Sequence, residues 1–341
     1  MSHPLRSFAF SVIISALAVA PQPAWSWGGD GHRTVGMIAG LILEQQHPST
    51  RDKVKQILDG ASLSDAALWA DCAKGFRYCH RDPNPEEQAY AQRNLNHHDY
   101  HYTDVPIQQP AYKAGSAGTK PYDVVQIIRY DIKVLRGQRP NDAPAGVNLT
   151  EKEALWTLAH FVGDIHQPLH VGAVYFDSRC VDMVDPNVVG AGAPNFGIGS
   201  TVVDTMGGND LMISSSQSLH MYWDESAVVG AMRLSGVRNK SIADFAKALM
   251  RQPPTGWQSK GDLDGRPAQW ASEIMPKAKD AITEVEIGEA THATSDHGPK
   301  CTWPVRLDRK YTEDANKTAH EQLAKAGYRL AALLVAIFEG R

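Results

Sequence analysis

His160 and Asp164 stand four residues apart at the end of an apolar run, Ala154-Leu155-Trp156-Thr157-Leu158. On a helix that spacing puts an imidazole and a carboxylate on one side, one turn apart. Nitrogen and carboxylate oxygen together form a ligand set for zinc. His220 and Asp224 repeat the spacing in Leu219-His220-Met221-Tyr222-Trp223-Asp224. Around these pairs stand His32, Asp71 in Leu68-Trp69-Ala70-Asp71, His101 in Tyr100-His101-Tyr102-Thr103-Asp104, and His170 just beyond Pro168. One i,i+4 pair is common on a solvated helix face. Two pairs with three further histidines and another aspartate exceed the four or so ligands one zinc takes. The inventory suits two or three zinc ions.

Composition points the same way. The chain carries 14 histidines and a net charge of −4, with no basic run. Charge alone therefore does not bind a nucleic-acid backbone, and a polyanionic substrate has to be attracted by bound cations. Arg6, the apolar stretch from Phe8 to Ala20, and the small residues Ala24 and Ser26 read as a signal peptide, residues 1–26, cleaved before Trp27. An uncleaved N-terminal anchor is the other reading. The run is too short for a membrane span, and no other run approaches the needed length. Cleavage would leave a free amino group and carbonyl on Trp27, a further chelating pair. Cys72, Cys79, Cys180 and Cys301 fit an oxidising compartment, periplasmic or extracellular, and two disulfides. Spacing favours Cys72–Cys79 and Cys180–Cys301 among three possible pairings, and no C-x-x-C zinc or redox spacing occurs.

The elements that must position these groups are mostly helices. Periodicity predicts helices over 33–46, closed by Pro48, over 50–58, and from a Ser64 cap through 70, delivering Asp71 at the end. Residues 96–104 read as loop or extended chain, and 123–137 as helix. Thr150 with Glu153 forms a capping box for a helix running to about 167. Residues 173–210 read as loop with short β pieces. Helices follow over 214–229, 241–250, 268–284 and 313–338, with 286–306 as loop. Helices dominate and strands are minor, so the expected fold is a mainly α single domain over 27–341. His47, His80, His292, His297 and His320 are expected to be ordinary polar residues. His97, His98 and His166 are either neighbours of the ligands or polar loop and helix residues.

Six segments, in this order, make the chain resemble the S1/P1 nuclease family, zinc-dependent single-strand nucleases related in fold to zinc phospholipase C. They are Trp-Gly-x-x-Gly-His at 27–32, Trp-Ala-Asp at 69–71, His-Tyr-x-Asp at 101–104, His-x-x-Gly-Asp-x-x-Gln-Pro-Leu-His at 160–170, Gly-Gly-Asn at 207–209 and Leu-His-x-x-Trp-Asp at 219–224. The resemblance implies three zinc ions. Asp71, His101, His160 and Asp164 would hold the first, and His170, His220 and Asp224 the second. The Trp27 amine and carbonyl with His32 would hold the third, with Asp164 as a bridge. It implies hydrolysis of single-stranded DNA and RNA to 5′-phosphorylated products, with Asp71 orienting the attacking water and Lys74 near the scissile phosphate. A 3′-nucleotidase activity is the possible accompaniment. Gly208 and Asn209 fall where the family binds a base. Here the family's Asp-x-Gly-Gly-Asn form is altered, because Thr205 and Met206 both separate Asp204 from the glycines.

Two other readings remain. A zinc phospholipase C would use a similar cluster, including an N-terminal Trp, but lacks the Gly-Gly-Asn loop. A zinc-storage protein would need no open ligand positions. No stable protein partner is implied, and a monomer is expected.

Overall fold

The computed structural model describes residues 27–138, 143–189, 202–295 and 298–340. The leader 1–26, the 190–201 part of the Gly-rich segment and His297 lie outside the described residues. The architecture is mainly helical with small sheets, as expected. No described helix is long and apolar enough to cross a membrane.

The helix Glu151–Asp164 lies in the middle. Its capping box forms: the Thr150 side chain accepts from the Glu153 amide, and the Glu153 carboxylate accepts from the Thr150 amide. From Glu153 to Asp164 every residue is buried. A helix buried all round must be packed on several sides. It packs against the helices Val124–Leu135, Gly28–Gln46 and Arg309–Phe338. Its polar residues His160 and Asp164 sit at the C-terminal end, where unsatisfied carbonyls favour a nearby cation. The closing helix Arg309–Phe338, capped by Asp308, buries Leu323, Leu330, Leu333 and Leu334 and packs on the N-terminal helix and on Ala227–Leu234.

Several elements differ from the sequence expectation. The N-terminal helix begins at Gly28 rather than at 33, because the Trp27 carbonyl already accepts from the Gly31 amide at 3.0 Å. Pro48 opens the helix Pro48–Ile57 rather than only closing the one before, as suits a residue without an amide proton. Ser62, not Ser64, caps the helix Leu63–Ala66, and Asp71 lies inside a second short helix, Trp69–Ala73. His97–His101 is a 3₁₀ turn rather than extended chain. The helix of His160 stops at Asp164, before Pro168. Residues 211–214 form a strand and Ser218 caps the helical segment that starts at Leu219, which passes through a π turn at Tyr222–Ser226.

The largest correction concerns 286–306, expected as loop. Strands Glu286–Ile287, Thr291–Ser295 and Gly298–Arg306 form there, and the last also pairs in parallel with Leu211–Ser214. The expected β pieces in 173–210 are present: Tyr175–Asp177 pairs with Met183–Val184 and Val202–Asp204. Both expected disulfides form, Cys72–Cys79 and Cys180–Cys301. The second ties the Tyr175–Asp177 hairpin to the strand Gly298–Arg306.

Candidate metal centre

Two groups of convergent side chains meet at the C-terminal end of the central helix. In the first, Asp164 Oδ2 lies 3.1 Å from His101 Nδ1 and 3.3 Å from His160 Nε2. Asp71 Oδ1 lies 3.7 Å from each of the same nitrogens. The other oxygen of Asp164, Oδ1, faces His32 Nε2 at 3.2 Å. The His32 ring stacks on His160 with centroids 3.8 Å apart. In the second group, His170 Nε2 and His220 Nε2 are 3.1 Å apart, and Asp224 Oδ2 is 3.5 Å from His220 Nε2. The two groups adjoin, since Asp164 Oδ1 is 4.0 Å from His170 Nδ1. Asp164 thus faces imidazoles on both sides.

The donor chemistry fits cations between these atoms. His160 Nδ1 donates to the Ala67 carbonyl at 2.6 Å, His170 Nδ1 to the His101 carbonyl at 2.8 Å, and His220 Nδ1 to the Gly207 carbonyl at 2.8 Å. A carbonyl can only accept, so each Nδ1 carries the proton and each Nε2 presents a lone pair inward. Two such lone pairs, on His170 and His220, then face one another at 3.1 Å. That approach is repulsive unless a positive centre lies between them. Burial also favours neutral imidazole: it lowers His32, His170 and His101, and it holds His220 down to about 3. His160 is the exception, because Asp164 and Asp71 outweigh the effect of burial and raise it. Asp164 is fully buried, yet the imidazoles of His160 and His170 overcome burial and hold it ionised.

Backbone geometry permits the close approach. A Cβ on Gly163 would come 2.8 Å from His32 Nδ1, so only glycine lets the N-terminal helix lie against the central one. The buried Trp27 fixes the same junction through its indole Nε1, which donates to the Gly163 carbonyl at 2.8 Å. Trp27 therefore enters the site one residue from Asp164. Lys74 caps the Trp69–Ala73 helix and places its Nζ 2.8 Å from Asp71 Oδ1, with both side chains nearly buried. The Cys72–Cys79 disulfide closes the loop that carries it.

The Gly207–Asn209 turn abuts the second group. Gly207 has φ +58°, and a Cβ there would lie 2.3 Å from the Leu169 carbonyl and 3.2 Å from His220 Nδ1. Gly208 follows with φ +82°. The Asn209 amide nitrogen donates to the Met206 carbonyl at 2.8 Å, so part of its bonding capacity stays within the turn.

Two residues here escaped assignment from sequence. Gln167 Nε2 donates to Asp224 Oδ1 at 2.8 Å, and its Oε1 accepts from the Leu169 amide. One amide group thus holds a carboxylate and a backbone turn together. Asp104 is buried beside Gly207, and its Oδ1 has no hydrogen-bond partner among the described residues. Burial and the nearby Asp204 push the Asp104 carboxyl well above its ordinary range. Both residues stand in the motifs quoted above, as the Asp of His-Tyr-x-Asp and the Gln of His-Gln-Pro-Leu-His, so position in the motif was the available signal.

Of the ambiguous histidines, His166 faces away from the metal groups. Its Nδ1 donates to the Val162 carbonyl at 2.7 Å, and its Nε2 meets Arg329 Nη1 at 2.9 Å. His97 is buried against Tyr90, and His98 is exposed. His292 lies near Cys180 and Cys301, but those sulfurs are bonded to one another.

The family model described as S1/P1 Nuclease matches residues 27–339. The chain is 26% identical to Endonuclease 2 of Arabidopsis thaliana over 96% of each chain. It is 26% identical to Nuclease S1 of Aspergillus oryzae, covering 94% of this chain and 95% of that one. Nuclease PA3 of a Penicillium species is 22% identical over 89% of this chain and 95% of its own. With a match that takes in every group just described, the chain belongs to the S1/P1 nuclease family.

Proposed function

We propose that the chain is an exported zinc-dependent endonuclease that hydrolyses single-stranded DNA and RNA. The observation carrying this reading is the two buried His/Asp groups that adjoin at Asp164, with the imidazole lone pairs of His170 and His220 aimed at one another. Asp71, His101, His160 and Asp164 would hold one zinc, and His170, His220 and Asp224 a second. His32, Asp164 and the amine and carbonyl of Trp27 would hold a third. Zinc, when bound, supplies Lewis acidity toward water and phosphate oxygens near neutral pH. The leader 1–26 would be removed before Trp27, leaving a single catalytic domain that acts as a monomer in the periplasm or outside the cell.

The reaction adds water to phosphorus and breaks the P–O3′ bond, leaving a 5′-phosphate and a 3′-hydroxyl. Asp71 stays ionised, because Lys74 and the neighbouring histidines outweigh its burial, so it can accept a hydrogen bond from the attacking water. The Lys74 ammonium, held at Asp71, balances charge on the phosphate oxygens. On one side, Gly207, Gly208 and Asn209 would receive an unpaired base. There the Asn209 side chain would meet the base edge and an aromatic face would stack on the base, which a base already paired in a duplex cannot offer. The same arrangement would accept a terminal 3′-phosphate, giving 3′-nucleotidase activity.

The test is hydrolysis of single-stranded DNA, RNA and phosphatidylcholine by processed protein, with zinc measured on the same sample before and after chelation. Nucleic-acid cleavage that chelation abolishes is expected. Lipid cleavage without nuclease activity would move the function to a phospholipase, and tight zinc without turnover to storage. Gln167→Leu tests the support of the second group. It removes the hydrogen bond to Asp224 but keeps the volume, so about a 10- to 100-fold loss of metal affinity is expected. Equal retention of zinc by the variant after dialysis would show that Asp224 needs no such support.

A further inference from the structure

A cavity of about 570 Å³ is bordered by Asp224, with no residue of the Gly207–Asn209 turn in its lining, and no role described above uses it. Its size is that of small-ligand sites generally. One wall is the start of the N-terminal helix at Gly28–Asp30, and the other is the helical stretch from Met221 to Arg233. Along that stretch Met221, Glu225, Val229 and Arg233 recur at helical spacing and share the cavity face. The lining combines the carboxylates Asp30 and Glu225, the apolar Val228 and Val229, and the cations Arg233 and Lys240.

We propose that this cavity binds the nucleotide on the side of the scissile phosphate opposite the Gly207–Asn209 turn, with Arg233 and Lys240 contacting the next phosphates of the strand. The inference rests on the nuclease reading above. Asp224 belongs to the second metal group and also lines the cavity, so the cavity adjoins that group. Arg233 is nine residues beyond Asp224, about 13 Å along a helix at 1.5 Å per residue. That is far enough for a following phosphate rather than the one being cleaved. The apolar Val228 and Val229 suit the flat face of a nucleoside. Asp30 and Glu225 repel phosphate and accept hydrogen bonds from sugar hydroxyls or base amino groups, which orients the strand with its phosphates outward. Because the whole chain carries a net charge of −4, attraction for a longer strand has to come from such local cations.

The test compares a dinucleotide with a ten-residue oligonucleotide of one base as substrates of the processed, zinc-loaded chain. For Arg233→Ala/Lys240→Ala, the ratio of kcat/KM on the ten-mer to kcat/KM on the dinucleotide is expected to fall roughly tenfold. The salt dependence of the ten-mer's apparent affinity should become shallower by about 1.4 in the log–log slope, near 0.7 for each lost contact with a single strand. Arg233→Lys should restore about half of that slope to the Ala variant of the same site. Lys247→Ala/Arg251→Ala removes the same charge elsewhere on the surface and should leave the ratio at its wild-type value. An unchanged ratio and slope in Arg233→Ala/Lys240→Ala would overturn the subsite. So would an equal fall in the charge-matched control. Failure of the wild-type chain to cleave either substrate would overturn the nuclease reading itself.

Discussion

Asp164→Asn is expected to reduce nuclease activity by at least about 100-fold, beyond the usual effect of losing a group that merely supports a ligand. Asp164 faces His32 through Oδ1 and the His101/His160 pair through Oδ2. It is completely buried. Asparagine keeps the volume but removes the charge and turns one acceptor into a donor. Three imidazoles would then converge on a group that neutralises nothing, and cations bound there would lose their shared anionic ligand. Zinc per chain, measured after dialysis, should fall together with kcat/KM on single-stranded DNA. Circular dichroism and gel filtration should remain those of a folded chain, because the packing of the central helix is unchanged. Full zinc with near wild-type turnover would mean that Asp164 does not bridge, and the three-ion arrangement would have to be abandoned.

Leaving one extra residue before Trp27 is the second large effect. Peptide-bond formation delocalises the nitrogen lone pair and removes it as a ligand. The Trp27 carbonyl is already the first acceptor of the N-terminal helix, so the amine is the group that cleavage newly supplies. Trp27 itself cannot shift to compensate, since it is fully buried and its indole is anchored on the Gly163 carbonyl. An added glycine is expected to cost about one zinc per chain and at least about tenfold in activity. Proteolytic removal of that glycine should restore both. If the extended and trimmed forms match in zinc and rate, the amine is not a ligand.

The helical His/Asp pairs were legible in the sequence alone. The His160/Asp164 and His220/Asp224 spacings put an imidazole and a carboxylate about one helical turn apart. Thr150 and Glu153 set the start of the central helix by local hydrogen bonds, and the two disulfides follow the cysteine spacing. What depends on distant partners was decided only by the tertiary structure. His166 stands two residues from Asp164, yet Arg329 of the closing helix meets it on the opposite side of the central helix. Asp104 reads as one more polar residue until the glycine turn at 207 closes over it and leaves an oxygen without a partner. The strands in 286–306 pair with one another and with 211–214, and their own sequence does not carry that pairing. Local pattern reaches as far as a turn or a cap. Hydrogen bonds between segments a hundred or more residues apart, and the burial they bring, exist only once the chain has folded.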